Sequence, residues 1–251
     1  MPRSATTLRV IQVSDCHVSA DPQTTYRGTR ADRNLRSLLP ALRRWQPDLI
    51  LLTGDVSEDA SAAAYGRVSA LLDTVGATVL ALPGNHDDGA VMQRYFPSGP
   101  WTGLYERGAR RWNIILLDST VPGEISGLLR EDTLERLETS LRRQAGAPAL
   151  IALHHQPVPV NSPWIDRYAL EEPGPFLDIL DRFPSVRCVT WGHVHQAFES
   201  ERNGVALLSG PSTAANSLPN ARAFTADMSG PACRWLELDV NGEMRTGLLH
   251  A

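Results

Sequence analysis

DLILLTGDVSEDA, residues 48–60, joins an apolar run to a cluster of acids. Leu49 to Leu52 has no polar face, as expected of a strand packed on both sides. The run stops at Thr53-Gly54-Asp55, and Glu58 and Asp59 then add negative charge. One carboxylate there would be a helix cap. Repeated endings of this kind would mean that one edge of a sheet is collecting groups for chemistry.

They do repeat. LRVIQVS (8–14), TVLALPG (78–84), WNIILLD (112–118), ALIALH (149–154) and VRCVTWG (186–192) are further apolar runs that read as buried strands. Helical spacing fills the gaps: Leu35, Leu38, Leu39 and Leu42 lie on one face of a helix over 31–45, and 60–75, 131–145 and 173–183 behave alike. The alternation predicts layered α/β architecture in one domain over 1–251. Further on, GVALLSG (204–210) and CRWLELDV (233–240) predict antiparallel strands, with a loop over 210–232.

The strand ends carry Asp15-Cys16-His17, Gly54-Asp55, Gly84-Asn85-His86-Asp87, His154-His155 and Gly192-His193-Val194-His195. Ligands of α/β sheets bind outside the carboxyl ends of strands. In an extended chain, residues i and i+2 share a side, which pairs Asp15 with His17 and His193 with His195. The glycines before Asp55, Asn85 and His193 allow sharp turns. The chain has seven histidines, and only His250 lies away from these ends. Imidazole mixed with carboxylate suits zinc, iron or manganese rather than calcium. Seven donors exceed one tetrahedral site, so two metals are expected, with Asp55 bridging them.

Composition bounds the rest. A chain of 251 residues with net charge −4 and 21% charged residues is globular, and a polymeric nucleic acid is not its expected partner. MPRSATTLRV lacks the apolar core of a signal peptide, and no run approaches the roughly 20 apolar residues of a membrane span, so a cytoplasmic location without a membrane partner is expected. Cys16, Cys188 and Cys233 are expected to be reduced thiols.

These blocks resemble the calcineurin-like metallophosphoesterases, whose pattern is DxH, GDxx(D/E), GNH(D/E), a lone His, then GHxH. GDVSEDASAAAY, LPGNHDD, LLDSTVPGEISG, LHHQPVPV and GHVHQ further resemble the class III bacterial 3′,5′-cyclic-nucleotide phosphodiesterases, nearly end to end. The resemblance implies a four-layer α/β/β/α sandwich with mixed sheets. It implies a first metal on Asp15, His17, Asp55 and His195, and a second on Asp55, Asn85, His154 and His193. His17, Asp55, Asn85, His86 and His195 would contact substrate, and Asp55 and His86 would be catalytic. The implied reaction is hydrolysis of 3′,5′-cyclic AMP to 5′-AMP, by in-line attack of a hydroxide held between two metals, with His86 at the leaving oxygen. The metals would be iron or manganese, or else zinc or cobalt, in a monomer or homodimer. Where relatives often have His-His-Pro-Pro, this chain has His154-His155-Gln156-Pro157.

Two choices stay open in the sequence: His154 or His155 as ligand, with His154 favoured, and Glu58 or Asp59 as the partner of His86. Trp164 and Phe224 are candidates to stack on a base, although packing on their own domain is the commoner role. Arg27 and Arg30 are candidate phosphate contacts that read more simply as solvated charges. Another small diester is the alternative substrate, either a glycerophosphodiester, a 2′,3′-cyclic nucleotide or a nucleotide-linked lipid. A non-catalytic binding module is the remote alternative, and the full donor set argues against it.

Overall fold

The computed structural model describes residues 6–100 and 102–251. Among them the chain runs β1 (Thr7–Val13), α1 (Ala31–Trp45), β2 (Leu49–Thr53), α2 (Ala62–Asp73), β3 (Thr78–Leu82), α3 (Gly89–Met92), β4 (Thr102–Arg107) and β5 (Arg110–Leu116). There follow β6 (Gly127–Leu128), α4 (Glu131–Arg143), β7 (Ala149–Leu153), α5 (Pro163–Asp166), β8 (Leu170–Glu171), α6 (Gly174–Arg182) and β9 (Val186–Trp191). The chain closes with β10 (Phe198–Arg202), β11 (Val205–Ser209), β12 (Asn216–Ser217), β13 (Ala226–Asp227), β14 (Ala232–Asp239) and β15 (Met244–His250).

Two mixed sheets carry the fold. One has the order β15-β14-β1-β2-β3, the other β10-β11-β9-β7-β5-β4. β1, β2 and β3 are parallel, as are β5, β7, β9 and β11; the outer strands are antiparallel.

Strand periodicity explains why the central runs lack a polar face. Ile11, Val13, Ile50 and Leu52 pack with Leu35, Leu39 and Leu42 of α1 and Val68 and Leu72 of α2. Their neighbours Leu8, Val10, Leu49 and Leu51 point the other way, against Ile114, Leu116, Leu150 and Cys188 of the second sheet. The far side of that sheet, Ile115, Ile151, Leu153 and Val189, packs on Leu137 and Leu141 of α4 and Phe176 and Ile179 of α6. Three cores thus separate four layers, α/β/β/α.

The expected tail strands exist with different neighbours. β11 pairs parallel to β9 and antiparallel to β10, while β14 lies antiparallel to β1 and β15 in the other sheet. Residues 210–231 are loop apart from the short β12 and β13. Buried Arg234 of β14 ties the two sheets: its Nε donates to Ser209 O at 2.9 Å and its Nη1 to Glu199 at 2.7 Å. No helix among the described residues is long and apolar enough to cross a membrane.

Candidate metal centre

Register brings the polar endings together. Val13 pairs with Leu52, Thr53 with Leu82, and Leu153 with Trp191, so their loops leave from one edge of each sheet. Buried Gln12 joins the two edges: Nε2 donates to Thr53 Oγ1 at 3.0 Å and Trp191 O at 2.8 Å, and Oε1 accepts from Thr190 at 2.7 Å.

The i, i+2 pairing of donors holds, but for a different reason from the one expected. Asp15, His17, Asp55, His193 and His195 are not extended; all five are left-handed, with φ of 52°, 43°, 49°, 65° and 50°. Such conformations cost non-glycine residues about 1–3 kcal/mol each and persist where surroundings enforce them. Here Asp15 N donates to Gly54 O, His17 N to Asp55 O, and His193 N to the Asp15 carboxylate at 3.0 Å. Cys16 and Val194 turn away into the apolar cores. The glycines also divide. Gly54 has φ 89°, whereas Gly84 and Gly192 do not adopt positive φ and are needed because a Cβ there would overlap Asp55 Oδ1 and Ser14 Oγ respectively.

Asp15, His17, Asp55 and His195 form one buried group whose donor atoms lie within 4.8 Å of one another. Within it, Asp15 Oδ1 is 3.4 Å from His195 Nε2, His17 Nε2 is 3.1 Å from His195 Nε2, and His17 Nε2 is 3.6 Å from Asp55 Oδ2. Donors that share an ion at 2.0–2.2 Å sit about 2.8–3.6 Å apart at octahedral or tetrahedral angles. The same Asp55 Oδ2 lies 3.5 Å from His154 Nε2, which is 3.2 Å from Asn85 Oδ1. One carboxylate oxygen therefore stands between both halves of the donor set.

The histidine tautomers strengthen this fit. His17 Nδ1 faces Glu58 at 2.7 Å, His154 Nδ1 faces Thr53 O at 2.8 Å and His195 Nδ1 faces Ala215 O at 2.7 Å. Donating there leaves three bare Nε2 lone pairs aimed at other acceptors, an arrangement that calls for cations between them. His193 is turned around: Nε2 donates to Tyr168 O at 3.1 Å, leaving Nδ1 as its donor. Although burial disfavours charge on His154, the Asp55 carboxylate beside it pushes its pKa up to about 9. Burial likewise works to raise Asp55, but His154 and His17 hold it well below the usual carboxylate range.

His155 is close by, and its ring nitrogens approach those of His154 and His193. Both of its nitrogens are committed elsewhere, Nδ1 to the Ser119 hydroxyl at 2.8 Å and Nε2 to Ile125 O at 3.0 Å. Burial, with His154 adjacent, pushes its pKa down to about 3, so it is a neutral brace. The geometry thus favours His154 as the donor. Glu58 and Asp59 separate as clearly. Glu58 Oε2 meets His17 Nδ1 and, at 3.2 Å, His86 Nδ1. Asp59 accepts from Ala20 N and Ser61 N in the turn before α2. The Glu58 hydrogen bond, against some burial, raises His86 to about 9. Glu58→Gln is expected to lower kcat by about 10–100-fold through loss of orientation of both rings, with Asp59→Asn much milder, as steady-state kinetics would read.

Sequence reasoning gave no role to Asp87 or Tyr26. Asp87 accepts from Gly84 N, Val56 N, Ser57 N and the Tyr65 hydroxyl, pinning the 84–87 loop to the 54–58 loop. Tyr26 stacks on His17, centroids 3.8 Å apart and planes 7° apart. A cavity of 190 Å³ opens at the donors; Asp55, Asn85, His86, His193 and His195 line it together with Tyr26, Arg27, Ile125, Trp164, Ile165 and Tyr168. A larger cavity of 310 Å³ by Asp118, Arg130 and Arg136 lies outside this cluster. Cys16, Cys188 and Cys233 are buried and unpaired, and burial raises each thiol to about 12.

A four-layer sandwich with nitrogen and carboxylate groups massed where two sheet edges meet is compatible with a dimetal site. The calcineurin-like phosphoesterase family model matches residues 8–197, and the chain belongs to that family. Its relatives include the 3′,5′-cyclic adenosine monophosphate phosphodiesterase CpdA of Pseudomonas aeruginosa, 35% identical over 98% of this chain and 91% of the relative. The CpdA of Escherichia coli K12 is 33% identical over 95% of this chain and 88% of its own length. A 3′,5′-cyclic-nucleotide phosphodiesterase of Nostoc sp. is 32% identical over 95% and 91%. A dimetal phosphatase from Danio rerio has the same fold, with TM-score 0.70 at 15% identity over 96% of this chain and 98% of that one.

Proposed function

We propose that this chain is a metal-dependent phosphodiesterase that hydrolyses 3′,5′-cyclic AMP to 5′-AMP. The observation that carries the reading is the convergence on Asp55 Oδ2 of two donor sets, each with its histidines tied off on the far nitrogen. The names of full-length relatives above 30% identity support the substrate. Asp15, His17, Asp55 and His195 would hold one ion and Asp55, Asn85, His154 and His193 the other. Mixed nitrogen and oxygen donors suit iron or manganese, with zinc and cobalt also accepted. Bound there, two divalent cations supply a hydroxide nucleophile at neutral pH and withdraw charge from phosphoryl oxygens.

The chain's own groups do the rest. Asn85 and His86 line the cavity, where they would face the diester. The His86 backbone N–H donates to Asp55 Oδ1 at 3.0 Å, which fixes the loop that carries it. Raised by Glu58, His86 is an imidazolium at neutral pH, poised to neutralise or protonate the departing 3′ oxygen. His86→Ala is expected to lower kcat by about 10²-fold with metal content preserved; loss of metal would make His86 a ligand instead. Three unpaired buried thiols suit a reducing cytoplasm. The net charge of −4 supports a small-molecule substrate over a nucleic-acid polymer, and we read the enzyme as one domain over 1–251, acting as monomer or homodimer.

Metal binding to the folded chain alone stabilises it by mass action, about 4 kcal/mol at a thousandfold excess over Kd. Chelation is therefore expected to lower Tm by roughly 10 °C in a chain of this size, read by calorimetry. The substrate is tested by turnover of manganese- and iron-loaded protein on 3′,5′-cyclic AMP, 3′,5′-cyclic GMP, 2′,3′-cyclic AMP, glycerophosphocholine and bis-p-nitrophenyl phosphate. Preference for 3′,5′-cyclic AMP with 5′-AMP as product supports the reading. Good turnover of the nitrophenyl diester with poor turnover of both 3′,5′-cyclic nucleotides would redirect it to another small diester.

A further inference from the structure

The part of the cavity lining that carries Tyr26, Arg27 and Trp164 has an organisation that the hydrolytic chemistry does not require. Tyr26 N donates to Thr29 O at 2.8 Å and Thr29 N to Tyr26 O at 2.9 Å, closing a two-residue turn with Arg27 and Gly28 at its tip. Both tip residues have positive φ, 46° and 81°, the mirror-image turn that normally selects Asn or Gly at its first position. An arginine there is strained, and nothing in the turn's own hydrogen bonding needs it. The base of the turn is anchored: Thr29 Oγ1 and Asn34 Nδ2 donate to Ala214 O at 3.0 and 2.7 Å, next to the Ala215 carbonyl that orients His195.

The strained residue is displayed over aromatic rings. The Arg27 guanidinium carbon lies 4.0 Å from the Phe224 ring centroid, 5.6 Å from Trp164 and 5.4 Å from Tyr26. Its Nε donates to the Tyr26 hydroxyl at 3.0 Å, and it forms no ion pair among the described residues. Trp164 and Phe224 meet edge to face at 5.5 Å, and Phe224 reaches the edge of His195 at 6.5 Å. The stack thus stands one ring away from a metal donor, while Arg27 itself remains exposed. A guanidinium with one face on a phenyl ring offers its other face to a planar base, and such stacks hold nucleobases without needing an anion.

We propose that the Arg27–Phe224–Trp164 stack is the nucleobase subsite, and that Arg27 determines the preference for diesters that carry a base. The proposal rests on the cyclic-nucleotide reading above. Arg30, by contrast, turns to Gln23 Oε1 and takes no part.

The test compares wild type with Arg27→Gly, Arg27→Lys and Phe224→Ala on 3′,5′-cyclic AMP and on bis-p-nitrophenyl phosphate, with metal content and Tm measured on each protein. Wild-type hydrolysis of cyclic AMP is the first readout. If it is absent, the cyclic-nucleotide reading falls and the base subsite falls with it. Given wild-type turnover, Arg27→Gly is expected to lose about tenfold or more in kcat/KM for cyclic AMP beyond its loss on the nitrophenyl diester, mainly through KM. Its Tm should hold or rise, because glycine relieves the positive φ. Arg27→Lys, with charge but no plane, should recover less than half of that preference, and Phe224→Ala should lose it as Arg27→Gly does. Equal losses on both diesters would mean that Arg27 does not select for a base, and no loss would make it a solvated charge; either result overturns the proposal while leaving the hydrolase reading intact.

Discussion

Replacing Asp55 by Asn is expected to lower diester turnover by at least about 10³-fold and to cut bound metal from two ions per chain to one or none. The Asn carbonyl keeps the bond from His86 N that Asp55 Oδ1 now accepts, so the loop should hold. What disappears is the second anionic oxygen, the atom that lies 3.6 Å from His17 Nε2 and 3.5 Å from His154 Nε2. Without it, neither donor set has a charge to share with the other. Metal-ion stabilisation of a reacting phosphoryl group is worth several kcal/mol, and about 4 kcal/mol corresponds to 10³-fold in rate. Elemental analysis beside kinetics checks both halves. Two ions retained in the variant would mean that Asp55 does not bridge.

Gly192→Ala carries the second large effect, and it needs no change to any donor. An added Cβ would overlap Ser14 Oγ and lie 2.7 Å from Asp15 Oδ2 and 2.8 Å from Thr53 O. Ser14 cannot swing aside, because its hydroxyl is buried and bonded to the Thr53 carbonyl and hydroxyl. The two sheet edges must then separate, carrying Asp15 away from His193 and His195. Overpacking of this kind costs about 1–3 kcal/mol, which is about 2–12 °C in Tm for a chain of this size. Metal affinity is expected to fall with it. Gly174→Ala, where nothing lies within 4 Å of the added atom, is the matched control and should change neither quantity.

What the sequence revealed depended on whether a residue's role leaves a side-chain signature. β1, β2, β3, β7 and β9 announce themselves because both faces are buried, and α1 because Leu35, Leu38, Leu39 and Leu42 line one side. β4, β10 and β15 were missed: they are edge strands, and none of their described side chains is buried, so they lack a buried apolar run. The seven proposed donors stand out in the sequence as residue types at strand ends. The groups that aim three of their rings were not, because Thr53 O, Tyr168 O and Ala215 O are backbone carbonyls. Only Glu58 among these acceptors is a side chain, and its competition with Asp59 was decided by a turn that the sequence does not display. Arg27 read as a solvated charge because its partners, Trp164 of α5 and Phe224 of the segment between β12 and β13, come from far along the chain.

The proposed centre is a pair of metal ions sharing Asp55. Electron paramagnetic resonance of the wild-type chain loaded with manganese tests it most directly, with stoichiometry measured on the same sample. Two ions per chain with an exchange-coupled signal, replaced by an isolated-ion signal in Asp55→Asn, is the predicted result. One ion per chain, or two ions that remain magnetically independent in the wild type, would contradict it.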